Sequence, residues 1–142
     1  MLKFSHIGVS CSDIKKTEQF YTKHFGFSRA RFIPLSEDDY IVYIKCGSVY
    51  LELFKSQSER PIPQPDNDGQ NYPGWRHLAF QVDDIEKKIT EMGDEAVVSL
   101  GPLDFSSFIT GWRTVWVKDP DGNIIEISQG YTDEKNTPNL VI

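Results

Sequence analysis

Two histidines and two glutamates of this sequence stand in matching surroundings. His6 opens the run His-Ile-Gly-Val-Ser-Cys-Ser-Asp-Ile, and His77 opens His-Leu-Ala-Phe-Gln-Val-Asp-Asp-Ile, 71 positions later. Glu52 lies in Val-Tyr-Leu-Glu-Leu-Phe, and Glu126 in Asn-Ile-Ile-Glu-Ile-Ser, 74 positions later. Two imidazoles and two carboxylates are a donor set for zinc or another divalent transition ion. A cation held among them would also offset the repulsion between two carboxylates brought side by side. One strand histidine, or one mid-strand glutamate, is ordinarily satisfied by solvent or a neighbour. The argument for a metal rests on the recurrence of the same pair. His24, the third histidine, has no counterpart in the second half and reads as a surface residue of a helix.

The elements that must position these groups follow from side-chain periodicity. Successive residues of a strand point to opposite faces. Ile7 and Val9 then share one face, and His6, Gly8 and Ser10 the other. Leu78, Phe80 and Val82 oppose His77, Ala79 and Gln81. Val49, Leu51 and Leu53 oppose Tyr50, Glu52 and Phe54, while Ile125 and Ile127 oppose Ile124, Glu126 and Ser128. Each half thus owns an apolar face able to receive a helix, and an opposite face carrying one His and one Glu. A buried glutamate without a partner is costly, and if two such sheets curl around a common cleft, the two histidines and two glutamates converge.

Each half reads as strand, helix and three strands. In the first, a strand over 3–11 leads to Ser12 and Asp13, a good N-cap pair. A helix runs to Phe25 with Ile14, Tyr21 and Phe25 on one face, and Gly26 stops it. Strands follow over 27–33 and 39–46, and Gly47-Ser48 makes a tight hairpin into 49–55. In the second, a strand over 75–82 precedes a helix capped by Asp83 or Asp84. Its Ile85, Ile89 and Met92 recur at helical spacing, and Gly93 ends it. Strands near 96–100, 112–118 and 123–129 complete it. The run Asp119-Pro120-Asp121-Gly122-Asn123 reads as a turn, with no catalytic role.

The expected organisation is a single domain over 1–142. Its first module covers about 3–55, a linker about 56–74, a second module about 75–130, and a polar tail 131–142. The linker contains Pro61, Pro63, Pro65 and Pro73 and is either a tether or a lid over a site.

Charge and composition narrow the partners. Fifteen basic against 21 acidic residues leave a net charge of −6, which argues against nucleic acid or an anionic membrane as partner. No run of 18 apolar residues and no basic, then apolar, leader is present, so a cytoplasmic protein is expected. Cys11 and Cys46 are too few for a disulfide framework and read as reduced thiols. A small-molecule partner remains.

The motifs HIGVSCSDI, FYTKHFGF, VYLELF, HLAFQVDDI and VWVKDPDGNIIEIS resemble the vicinal oxygen chelate superfamily, over about residues 3–129. That superfamily includes glyoxalase I, extradiol dioxygenases, methylmalonyl-CoA epimerase, and fosfomycin- and bleomycin-resistance proteins. The resemblance implies an α+β fold, with two tandem βαβββ modules forming an eight-stranded cupped mixed sheet around a metal cleft. The His/Glu/His/Glu order is similar to glyoxalase I. It implies that His6, Glu52, His77 and Glu126 hold one divalent ion: Zn, Ni, Co, Mn or Fe. It also implies a homodimer; the two facing modules come either from one chain or, as often in glyoxalase-like relatives, from the first module of one chain and the second module of its partner. Glyoxalase I enzymes carry an arginine four residues after the first ligand and an asparagine four residues after the first Glu. Here these positions are Ser10 and Ser56. The glutathione carboxylate clamp is therefore expected to be missing.

The implied activity is a metal-dependent glyoxalase I-like lyase or isomerase. Its substrate would carry vicinal oxygens, as a 2-oxoaldehyde–thiol adduct or an α-hydroxy carbonyl does. A bound ion would stabilise the charge of a developing enediolate. Glu126 is the expected base, with Glu52 as ligand or second base. Phe4, Tyr50, Phe54, Trp75 and Trp116 are candidates to line the cleft. A non-catalytic ligand-sequestering protein, an epimerase and a dioxygenase of the same superfamily stay open as alternatives.

Overall fold

Apolar alternation in eight short segments builds eight strands, each half carrying one main helix. A computed structural model describes residues 1–141. The elements are β1 (Ile7–Cys11), α1 (Ile14–Phe25), β2 (Ser28–Pro34), β3 (Tyr40–Cys46), β4 (Val49–Lys55), β5 (Leu78–Gln81), α2 (Ile85–Met92), β6 (Val97–Asp104), β7 (Arg113–Lys118) and β8 (Ile124–Gln129). A single 3-10 turn, Gly93–Glu95, follows α2. The strands form two four-stranded sheets, ordered β1-β4-β3-β2 and β5-β8-β7-β6. The βαβββ order and the sheet topology are the same in both halves, as the internal repeat predicts. The fold is α+β.

The described residues divide into two compact units. The first comprises 1–65 and 118–123, the second 66–117 and 124–141. The turn of the DPDGN motif thus belongs to the first unit, although it joins two strands of the second.

In the first unit, β1 runs parallel to β4, with Ile7 opposite Leu51 and Gly8 opposite Glu52. The two-residue turn Gly47-Ser48 pairs Cys46 with Val49 and so puts Tyr43 opposite Glu52. Val42, Ile44, Leu51 and Leu53 are fully buried. Against that face packs α1, whose Asp13 caps Lys16 N–H at 3.1 Å and whose Gly26 takes the left-handed conformation (φ 69°). The buried stripe of α1 is wider than the apolar residues alone suggest. Thr17, Phe20, Tyr21 and His24 all lie in it. His24, expected at the surface, is 5% exposed, and its ring sits edge-on to Phe20 at 5.2 Å. His24 follows Phe20 by four residues and shares its face, and the buried face of α1 is wide enough to take in both.

In the second unit, β5 runs parallel to β8 with Ala79 opposite Glu126. Asp84 caps α2 through Lys87 N–H at 2.9 Å. Ile85 and Met92 are buried, with Val115, Val117, Ile125 and Ile127. Both first strands are shorter than the alternation suggests. They begin at Ile7 and Leu78, where the parallel ladders with β4 and β8 begin. Pro34 and Pro102 fall on β2 and β6, outermost strands where a missing N–H is tolerated. Among the described residues no helix is long and apolar enough to cross a membrane.

Candidate metal centre

His6 lies directly before β1 and Glu52 in the middle of β4. The parallel register puts Glu52 beside Gly8, two residues beyond His6 and on the same face. The side chains meet, with His6 Nε2 2.9 Å from Glu52 Oε2. The other imidazole nitrogen, Nδ1, is 2.8 Å from Ser5 Oγ. Glu52 Oε1 accepts the Tyr43 hydroxyl at 2.5 Å, and the Tyr43 ring stands edge-on to His6 at 5.4 Å. That hydrogen bond to Glu52 is the main reason the Tyr43 phenol titrates above its ordinary value. Both oxygens of Glu52 are therefore directed by neighbours. Tyr43 thus joins the His6–Glu52 pair, a contact that motif reading overlooked. Counting back three residues on each side of the Gly47-Ser48 turn would have found it.

The second unit repeats the pair. His77 lies directly before β5, and its Nε2 is 2.8 Å from Glu126 Oε2. Both side chains are largely shielded, 20% and 15% exposed. His77 Nδ1 is 2.6 Å from the carbonyl oxygen of Asp68. A carbonyl only accepts, so Nδ1 carries the proton and donates. In the neutral ring this leaves the Nε2 lone pair aimed at a carboxylate oxygen, an arrangement that calls for a proton or a cation between them. A metal-binding histidine is commonly oriented in this way, by donating its other N–H to a carbonyl.

The residues fit a divalent ion by donor chemistry: in each unit, one imidazole nitrogen and one carboxylate on a shared strand face. Among the described residues no group of three or more His, Cys, Asp or Glu side chains is placed to hold a metal ion. Each unit thus pairs one imidazole with one carboxylate.

The candidate pocket aromatics fall in different places. Tyr50 and Phe54 flank Glu52 on its own face and are half-buried. Phe4 and Trp75 precede their strands and are exposed, at 65% and 97%. Trp116 is buried in β7, with its ring edge-on to His77 at 6.4 Å. Trp112 Nε1 donates to Ser128 Oγ at 3.2 Å, which puts Trp112 on the face of β8 that carries Glu126. Alternation then adds Thr114 and Trp116 to that face. Thr114 Oγ1 and Trp116 Nε1 are buried, with no hydrogen-bond partner among the described residues.

The Glyoxalase/Bleomycin resistance protein/Dioxygenase superfamily model matches residues 3–127. The chain belongs to this superfamily. A glyoxalase family protein from Enterococcus faecalis is 30% identical in its crystal structure. The match covers 89% of this chain and 96% of that one, with a TM-score of 0.64. Virulence protein STM3117 of Salmonella typhimurium is 26% identical over 131 residues, 89% of this chain and 83% of the relative. The structure of a lactoylglutathione lyase from Agrobacterium tumefaciens shares the fold (TM-score 0.58) at 24% identity, covering 90% of this chain and 93% of that one. The superfamily joins glyoxalases and dioxygenases, which are enzymes, with a resistance protein. Membership alone leaves turnover and sequestration both available.

Proposed function

We propose that the chain is a metal-dependent lyase or isomerase of glyoxalase I type, a cytoplasmic homodimer acting on a small substrate with vicinal oxygens. The carrying observation is the doubled His–Glu pair, with Gly8 opposite Glu52 and Ala79 opposite Glu126 in the same parallel register. His6, Glu52, His77 and Glu126 would hold one divalent ion when two half-sites face each other. A closed two-fold dimer brings the first half-site of one chain against the second of its partner.

A divalent ion supplies Lewis-acid stabilisation of negative charge on the substrate oxygens. The chain's own residues do the rest. Glu126 takes the proton α to the carbonyl and returns it to the neighbouring carbon, so the substrate isomerises through an enediolate. His77 is kept in one tautomer by the Asp68 carbonyl. Glu52, directed by Tyr43 and His6, balances Glu126 across the site. Tyr50, Phe54 and Trp116 reduce access of water to the reacting carbon. Ser10 and Ser56 replace the charged and amide groups of the glutathione clamp. The glutathione hemithioacetal of methylglyoxal is therefore expected to turn over poorly, and another thiol adduct or an α-hydroxy carbonyl is preferred.

The test uses metal analysis and mixed dimers. Purified protein incubated with Zn, Ni, Co or Mn should retain about one ion per His–Glu–His–Glu set. His77→Ala should reduce that content. One chain lacking His6 and Glu52, mixed with one lacking His77 and Glu126, should regain metal binding and up to about half the activity. No metal uptake refutes the reading. Absence of rescue in verified mixed dimers refutes the shared site.

A further inference from the structure

Beyond the C-terminal ends of β1 and β4, the first unit carries an open, solvent-exposed cleft of about 770 Å³. Its walls include Ser10, Ser12, Ser56, Arg60, Gln64 and Asp121. The parallel strands bring Ser10 and Ser56 to the same end, and Ser56 N–H donates to the Cys11 carbonyl at 2.8 Å. The segment after β4 returns over the DPDGN turn. A Cβ on Gly122 would stand 2.5 Å from Gln64 Oε1, so the Gln64 side chain lies directly against the turn. Part of the proline-rich segment is thus a wall of the cavity.

The polar groups of this cavity are unequally engaged. Asp121 is fully occupied. Its Oδ1 accepts the Ser12 hydroxyl and the Ser12 N–H, and its Oδ2 accepts Thr17 Oγ1. Arg60 is held differently. Its Nη2 donates to two neutral oxygens, Asn123 Oδ1 at 3.0 Å and the Asp121 carbonyl at 3.5 Å. Among the described residues its Nε and Nη1 have no partner, and no carboxylate is paired with it. Arg60 is exposed, and a guanidinium steadied on one nitrogen can present its solvent-facing N–H groups to a planar oxyanion. The hydroxyls of Ser10 and Ser56 likewise have no partner among the described residues. Glu59 also borders the cavity and disfavours a densely anionic ligand.

We infer that this cavity binds a hydroxylated carboxylate, with Arg60 taking the carboxylate and the hydroxyls of Ser10 and Ser56 taking the ligand's hydroxyl groups. The volume lies in the range of small-molecule sites, and the hydroxyl lining suits a polar rather than a flat apolar ligand. The inference needs neither a metal nor turnover. In the reading proposed above, the ligand's reacting end would lie at His6, four residues or about 13 Å back along β1.

The test is a titration of the full chain with D-gluconate, followed by amide chemical shifts. Sorbitol serves as the counterpart that has the hydroxyls and lacks the carboxylate. Gluconate should shift amides at 10–12 and 56–64, and sorbitol should bind at least about tenfold more weakly. Arg60→Gln should weaken gluconate about tenfold and leave sorbitol unchanged, as expected for loss of a charge-assisted contact. Ser56→Asp, which adds a carboxylate to the wall, should weaken gluconate as well and serves if Arg60→Gln does not fold. No shifts by about 50 mM gluconate, equal binding of sorbitol, or indifference to either substitution overturns the inference. None of these outcomes touches the metal reading, which is tested by metal content and mixed dimers.

Discussion

Asp119 ties the DPDGN turn to α1, and Asp119→Ala should lower stability by an amount the structure allows us to estimate. The side chain is buried and accepts four hydrogen bonds. Oδ1 takes the N–H groups of Asp121 and Asn123, each at 2.9 Å. Oδ2 takes the Tyr21 hydroxyl at 3.1 Å and Asn123 Nδ2 at 2.9 Å. Tyr21 is 1% exposed, so alanine would strand its hydroxyl away from water. One stranded buried donor costs about 1–3 kcal/mol, and the half-buried turn donors add about 0.5 kcal/mol each. Burial of the carboxylate works the other way, since it holds the Asp119 carboxyl above its ordinary 3.8. The net expectation is about 3 kcal/mol, or about 9 °C in Tm for a chain of this length. Calorimetry at neutral pH measures it, and a loss under about 2 °C refutes the reasoning. The sign of the pH effect gives a second check. The folded chain keeps the Asp119 proton to higher pH than the unfolded chain does. Its contribution is full below the unfolded value and declines as pH rises through the folded one. Asp119→Asn removes this dependence. Wild type should therefore lose stability relative to Asp119→Asn as pH rises from below about 4, and a flat difference refutes the burial argument.

Three further outcomes are expected. Tyr43→Phe frees one oxygen of Glu52 and should weaken metal binding about tenfold, measured by competition with a chelator; unchanged affinity removes Tyr43 from the site. Glu126→Gln keeps an oxygen donor and loses basicity, so solvent deuterium exchange at the substrate carbon should fall at least about a hundredfold while weakened metal binding persists. Exchange near the wild-type rate moves the base to Glu52. Burial pushes the Cys11 thiol up to about 11, so at pH 8 roughly one molecule in a thousand carries its thiolate. A thiol reagent should label half-buried Cys46 in the native protein and Cys11 only after unfolding, and equal rates would contradict the burial.

Local periodicity was enough for much of this protein. Strand alternation sorted His6 and Glu52, and His77 and Glu126, onto shared faces, because a period of two depends only on near neighbours. The caps Asp13 and Gly26 marked α1 for the same reason, and the recurrence of the motifs predicted the same βαβββ order in both halves, while the division into two four-stranded sheets in place of one eight-stranded sheet appears only in the structure. Even Tyr43 beside Glu52 was within reach, since a two-residue hairpin sets the register. Other features depended on segments far apart in the chain. The burial of His24 depends on how wide a face of α1 the sheet covers. Asp119 reaches Tyr21 across 98 residues, and Asp121 reaches Ser12 across 109. The DPDGN run reads as a turn because proline and glycine set its backbone. Its carboxylates gain partners only when the chain folds back and delivers a turn of the second half to the first unit. That Thr114 Oγ1 and Trp116 Nε1 meet no acceptor among the described residues, and that Arg60 reaches Asn123 and the Asp121 carbonyl, is likewise invisible in the sequence, because whether a donor is satisfied depends on which distant acceptors surround it.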